Sequence, residues 1–285
     1  MDKILVTGAT GFIGHFVVTE LLQRGYEVIA SSAHKEKAEA APWYDQVRYV
    51  PFDLEKFDPA TDYHQFFGKP DRLLHLAWEG LPQYKSAFHL EINYPRHAAF
   101  LMNLVSHGLS DITITGTCFE YGMREGCLSE DMPALPDNPY AMAKDKLRLH
   151  LEALQKRYPF VLRWARLFYM YGRGQNPKSL FSQLDNALEK GDTIFNMSGG
   201  QQVRDFLPVE EAARYIVSIA LQKEVTGIIN VCSGQPVTVQ QLVEDYLRKK
   251  GRSIVLNLGY YPYPDYEAMR FWGSNEKLKT INTDG

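Results

Sequence analysis

The chain has 285 residues, 45% of them hydrophobic and 23% charged, with a formal net charge of −3. That length and apolar content suffice for one large core, or one core and a smaller lobe, and the slight acidity gives no electrostatic pull toward DNA, RNA or an anionic membrane surface. No run is long and apolar enough to span a bilayer, the first residues carry no basic-then-apolar targeting pattern, and Cys118, Cys127 and Cys232 lack the paired spacing of a zinc site, so a reduced, cytoplasmic, metal-free protein is expected.

Lys3-Ile4-Leu5-Val6-Thr7 is a short apolar run, followed by Gly8-Ala9-Thr10-Gly11-Phe12-Ile13-Gly14 and an amphipathic stretch to Arg24-Gly25. The order is strand, glycine turn, helix. Glycines let backbone N–H groups approach a pyrophosphate, and the start of the helix favours the anion, so the segment predicts dinucleotide binding. The second strand, Glu27-Val28-Ile29-Ala30-Ser31-Ser32, lacks the acidic residue that holds an unphosphorylated adenosine ribose. Ser31, Ser32, His34, Lys35 and Lys37 can accept a 2′-phosphate instead, which favours NADP(H) over NAD(H); the two lysines also fit a solvated loop.

Helical stretches at about 86–107, 139–157, 209–222 and 237–250 alternate with short apolar runs, as a parallel sheet requires. The fold class is therefore α/β: a doubly wound parallel Rossmann sheet with a small carboxyl-terminal substrate-binding lobe. The dinucleotide-binding domain is assigned to 1–168 and the lobe mainly to 169–285, with 209–235 returning to the sheet.

Within the second of those helices, Asn138-Pro139-Tyr140-Ala141-Met142-Ala143-Lys144 puts Pro139 at a first turn, where no N–H is needed, and sets Tyr140 and Lys144 on one face. A solvated helix face often carries the same spacing. A phenol beside an ammonium has its pKa lowered and becomes suited to general acid–base work.

Together these features resemble the extended short-chain dehydrogenase/reductase family, the NAD-dependent epimerases and dehydratases that act on nucleotide-activated sugars, and the resemblance runs along nearly the whole chain. It implies that Asp53-Leu54 contacts the adenine and that His75-Leu76-Ala77-Trp78 lies beside the cofactor. Asn93 and Thr115 join the implied cofactor contacts. Thr113-Ile114-Thr115-Gly116-Thr117-Cys118-Phe119-Glu120-Tyr121-Gly122 resembles the segment with the catalytic hydroxyl, here Thr117, completing a set with Tyr140 and Lys144. Phe168-Tyr169-Met170-Tyr171-Gly172 corresponds to a segment in which Tyr169 replaces the family's Asn, and Arg204 of Arg204-Asp205-Phe206 corresponds to the arginine that binds the substrate diphosphate. The resemblance further implies a nucleotide-diphosphate sugar as substrate and a homodimer formed through the helices near 86–107 and 139–157.

If the strand carrying Thr117 runs on, residues 117, 119 and 121 point together. Cys118 and Phe119 then stand where the family's dehydratases carry Asp and Glu, Glu120 is one step out of phase, and Cys118 is out of register for an epimerase-reductase. Dehydration and 3,5-epimerisation thereby lose support, whereas ketone reduction, or 4-epimerisation with tightly bound NAD, needs only Thr117, Tyr140, Lys144 and the nicotinamide; a non-catalytic dinucleotide-binding sensor is the alternative from another class, against which these three residues argue. The segments 76–82, 116–122 and 271–273 look most like family members that reduce dTDP-4-keto-6-deoxyglucose to dTDP-fucose. The expected activity is NADPH-dependent C4 reduction of such a sugar for surface polysaccharide, such as O-antigen, or a glycosylated metabolite.

Overall fold

A computed structural model describes residues 2–282. In chain order the first half runs β1 Lys3–Thr7, α1 Phe12–Gln23, β2 Glu27–Ser32, α2 Lys35–Glu39, β3 Arg48–Pro51, α3 Tyr63–Phe66, β4 Arg72–His75, α4 Tyr94–Ser106, β5 Asp111–Thr117, β6 Gly126–Leu128 and α5 Pro139–Leu154. It continues with β7 Val161–Leu167, β8 Tyr169–Tyr171, α6 Leu180–Lys190, β9 Ile194–Asn196, β10 Val203–Pro208, α7 Val209–Leu221, β11 Gly227–Val231, β12 Pro236–Thr238, α8 Val239–Lys250, β13 Val255–Asn257, β14 Phe271–Gly273 and α9 Glu276–Lys279.

Seven strands form one parallel sheet in the order β11-β7-β5-β4-β1-β2-β3. Its inner strands are covered on both faces, which is why they read as continuous apolar runs. One face packs Val17, Val18 and Leu21 of α1 with Ile216 and Val217 of α7; the other packs Phe100, Leu101 and Leu104 of α4 with Leu147 and Leu151 of α5. The order reverses between β1 and β4, opening a crevice beyond their carboxyl ends where ligands of such sheets bind.

β8, β10 and β12 form a smaller sheet, and β9 pairs with β13. Phe181, Leu184 and Phe195 join Val243 and Leu247 in a separate core beneath these elements. β11 returns to the edge of the main sheet beside β7. Pro139 does open α5, with the Asn138 side chain accepting the Ala141 N–H at 3.0 Å. The helix expected from about 86 is not uniform: His89–Asn93 is a π-helical turn that precedes α4. Among the described residues no helix is long and apolar enough to cross a membrane.

Candidate functional site

The crevice is a cavity of about 870 Å³ lined by the glycine turn after β1, the ends of β4 and β5, the start of α5 and the small lobe. Gly8, Gly11, Phe12, Ile13 and Gly14 border it. Gly8 has φ +74°, and a Cβ there would meet Ala77 N at 2.7 Å; a Cβ on Gly14 would meet Gly8 O at 2.2 Å. The turn is thus packed against the strand beside it and presents bare backbone at the start of α1, a shape that fits a dinucleotide pyrophosphate. Leu76 and Trp78 form the adjoining wall, whereas Thr10 and Ala77 are half-buried outside the lining.

Thr115, Thr117, Tyr140 and Lys144 line the same cavity. Tyr140 is 7% and Lys144 2% exposed. Burial drives the Tyr140 phenol well above its usual value near 10, helped by neighbouring Tyr84 and Glu120 and opposed by a hydrogen bond with the Thr117 side chain. Burial pulls the Lys144 ammonium down to about 7, with Glu120 acting in the opposite direction. The Lys144 ammonium donates to Thr115 O at 2.9 Å and sits 4.0 Å from the centroid of the Trp78 ring. The expected depression of the Tyr140 pKa by Lys144 is therefore corrected: burial dominates the phenol, and the ammonium is directed to a carbonyl and an indole.

A second correction concerns the segment after Thr117. β5 ends there and Cys118–Tyr121 is a 3₁₀ turn, so side chains do not alternate across it. A capping box causes the break: the Thr117 side chain accepts the Phe119 N–H, and the Glu120 carboxylate accepts the Thr117 N–H at 2.8 Å. Glu120 also accepts from Trp164 Nε1 at 3.0 Å and Arg166 Nε at 2.7 Å, and both ion-paired side chains are 0% exposed. Glu120 is thus not a misregistered acid but the anchor of the turn that follows Thr117. Burial pushes the Cys118 thiol up, leaving it protonated.

On the lobe side, Tyr169 and Arg204 both border the cavity. The Tyr169 hydroxyl is buried beside Glu267, and burial, then that carboxylate, hold the phenol well above its usual pKa. Arg204 donates to Glu267 at 2.9 Å and to Val203 O and Met269 O, with its guanidinium 4.4 Å from the Phe271 ring centroid. An entering phosphate must therefore share this guanidinium with Glu267. Glu267, Tyr84, Gln175 and Gln202 were not anticipated, yet they line the cavity. Gln202 Nε2 and Gln175 Oε1 are buried without partners, as polar atoms meant for a ligand would be. Gln202 lies two residues before Arg204, and that proximity was the available signal.

Other expected cofactor contacts lie outside the cavity lining. Asn93 is buried and donates to Glu79 O at 2.8 Å, so it braces the chain after β4. Ser31 is buried, its carbonyl receiving the Ala9 N–H; Ser32 Oγ lies 3.1 Å from Tyr49 Oη; Lys35 pairs with Glu39 at 3.1 Å. Asp53 caps the turn containing Leu54, whose side chain packs on the core. Asp53, Glu55 and His34 all act electrostatically on Glu79, whose carboxyl is raised by partial desolvation and then by the two carboxylates. Arg96, paired with Glu55 at 2.9 Å, and His34 act the other way, so the corner expected to be cationic is of mixed charge.

A family model described as the NAD dependent epimerase/dehydratase family matches residues 4–232. The dTDP-6-deoxy-L-talose 4-dehydrogenase (NAD(+)) of Aggregatibacter actinomycetemcomitans is 30% identical over 278 residues, covering 95% of this chain and 99% of that protein. The dTDP-4-dehydro-6-deoxyglucose reductase of Escherichia coli is 22% identical over 268 residues, covering 90% of this chain and 84% of that one. Among solved structures, MoeE5 in complex with UDP-glucuronic acid and NAD matches with a TM-score of 0.83 at 24% identity, covering 98% of this chain and 92% of that one, a likeness of fold.

Proposed function

The chain belongs to the NAD dependent epimerase/dehydratase family, and on that premise we propose that it is a C4 oxidoreductase of a nucleotide-activated 6-deoxyhexose, working as a reductase of a dTDP-linked 4-keto-6-deoxyhexose. The observation that carries this reading is that Thr117, Tyr140 and Lys144 border the same cavity as the glycine cradle. A nicotinamide dinucleotide held by Gly8, Gly11, Phe12, Ile13 and Gly14 supplies the hydride when bound. Burial keeps Tyr140 protonated at neutral pH, the form able to give its proton to O4 as negative charge develops there. Thr117 donates a hydrogen bond to the same oxygen. Lys144, beside both, holds the cofactor ribose. Tyr169, Gln202 and Arg204 take the diphosphate and nucleotide end of the sugar.

With dTDP-4-keto-6-deoxyglucose the product is dTDP-fucose. The talose-series name of the 30% identical relative favours, as a second reading, a ketone of the 6-deoxy-L-talose series. For the cofactor, Ser31, Ser32 and Lys35 support NADP(H), whereas the carboxylates of Asp53, Glu55 and Glu79 repel a 2′-phosphate and support NAD(H). The reading includes a cytoplasmic enzyme of deoxysugar synthesis, divided at 168/169 with 209–235 returning to the main sheet. It also includes a homodimer, supported by exposed Ile92 in the π-helical turn, Met102 on α4, and Met142 and Leu149 on α5.

The test is loss of reduced-cofactor absorbance with each 4-keto sugar, NADH and NADPH in parallel, and the C4 configuration of the product read by NMR. Oxidation of the cofactor with a single C4 epimer formed is the expected result. Interconversion of C4 epimers without net cofactor consumption would replace the reductase by a 4-epimerase.

A further inference from the structure

Lys144 is 2% exposed, and the Trp78 indole turns its face to the ammonium, 4.0 Å away at the centroid. That indole is itself fixed. Its Nε1 donates to His89 Nδ1 at 3.2 Å, and His89 Nε2 lies 3.1 Å from Gln83 O. Its ring stacks on His97 with centroids 4.6 Å apart and planes 24° apart. His97 Nδ1 is 2.7 Å from His75 Nε2, and His75 Nδ1 is 2.7 Å from Thr7 Oγ1. Support for the ring thus reaches from α4 through β4 to β1.

We propose that Trp78 is a positioning residue for Lys144: its π-face keeps the buried ammonium charged and aimed along Thr115 O, and the His89, His97 and His75 contacts hold the indole at the angle this requires. The other titratable groups facing the ammonium are Glu120 from the turn that follows Thr117, which favours the charge, and His75, His89 and His97. Burial and the Lys144 charge hold these histidines below their usual pKa, so they remain neutral and do not repel the ammonium. Tyr140, on the same helix, stays protonated. Beside Glu120, the ring quadrupole and the Thr115 carbonyl attract the charge in this desolvated place. The inference rests on Lys144 being the working lysine of the proposed site, but its test does not depend on turnover.

The midpoint of Lys144 titration is read by NMR of lysine labelled at Cε and Nζ in the full chain, the signal being assigned by its loss in Lys144→Met. Removing the ring with Trp78→Leu is expected to lower the midpoint by roughly half a unit to one and a half units, and Trp78→Phe to recover part of the shift. Fluorinated tryptophans placed only at position 78 keep the shape and hydrogen bond, so they serve even if Trp78→Leu does not fold; the midpoint is expected to fall in the order mono-, di-, trifluoro. The alkaline limb of the kcat/KM profile then moves to lower pH by the same amount. An unchanged midpoint across the fluorinated series overturns the proposal. Absence of any C4 oxidoreductase activity in the unsubstituted protein overturns the proposed function and leaves the titration result standing.

Discussion

A carboxylate is ion-paired at each end of β5, Asp111 with two arginines and Glu120 with one, and the two pairings serve different ends. At the amino-terminal end, Asp111 accepts from Arg72 at 3.0 Å and Arg163 at 2.6 Å, and the same arginines donate to Ala220 O and Gln222 O. These are carbonyls at the end of α7, where a cation is favoured by the helix dipole and satisfies acceptors the helix leaves open. Asp111 remains 16% exposed and Asp2, which also pairs with Arg72, 48% exposed, so water shares the load. At the carboxyl-terminal end Glu120 and Arg166 are fully enclosed, and the guanidinium carbon of Arg166 lies 4.3 Å from the Tyr121 ring centroid. One end clamps helix to sheet under solvent; the other uses a dry ion pair to fix a turn beside Tyr140 and Lys144, whose pKa values burial displaces.

Tyr140→Phe gives the largest expected contrast: kcat falls by about 10²–10⁴-fold while the melting temperature does not drop, because only the proton donor proposed for the dry end is lost. Equal losses of activity and stability would erase the distinction. Glu120→Ala strands the Arg166 charge in a closed site and is expected to cost about 3–5 kcal/mol in denaturant unfolding, whereas Glu120→Gln, which retains an acceptor for the Thr117 N–H, costs less. Lys144→Met sharpens the comparison by changing sign. The unfolded lysine titrates near 10.5 and the folded one at about 7, so the charged form opposes folding fully below pH 7 and not at all above about 10.5. The substitution is therefore expected to abolish turnover yet stabilise the protein at pH 6–7 by on the order of 2–4 kcal/mol, a gain that disappears as the pH approaches 10.5. A gain that persists at high pH would assign the effect to packing instead.

Asp111→Asn, at the wetter end, is expected to cost about 1–3 kcal/mol and leave kcat unchanged, as thermal melts and initial rates would report. The smallest effect belongs to Lys85, whose pair with Asp265 is exposed on both sides at 2.7 Å; Lys85→Ala should leave the melting temperature and kcat where they were. A clear drop in either would mean that this surface pair bridges the cavity mouth more firmly than its exposure implies.

Local spacing made the glycine turn, the α5 amino terminus and the Tyr140–Lys144 face legible in the sequence, because a strand-to-helix turn, an N-cap and an i,i+4 pair are each set by residues a few positions apart. The alternation of apolar runs and helices likewise prescribed the doubly wound sheet. What the sequence alone left open are contacts between distant segments. Glu120 meets Arg166 across 46 positions, and Arg204 meets Glu267 across 63. Trp78 meets the Lys144 ammonium only because β4 and α5 converge on one cavity. Desolvation belongs to the same class: the types and spacing of Tyr140 and Lys144 indicate that they can exchange protons, but only tertiary enclosure, which strips water from both, decided that the phenol is held protonated and the ammonium brought near neutrality.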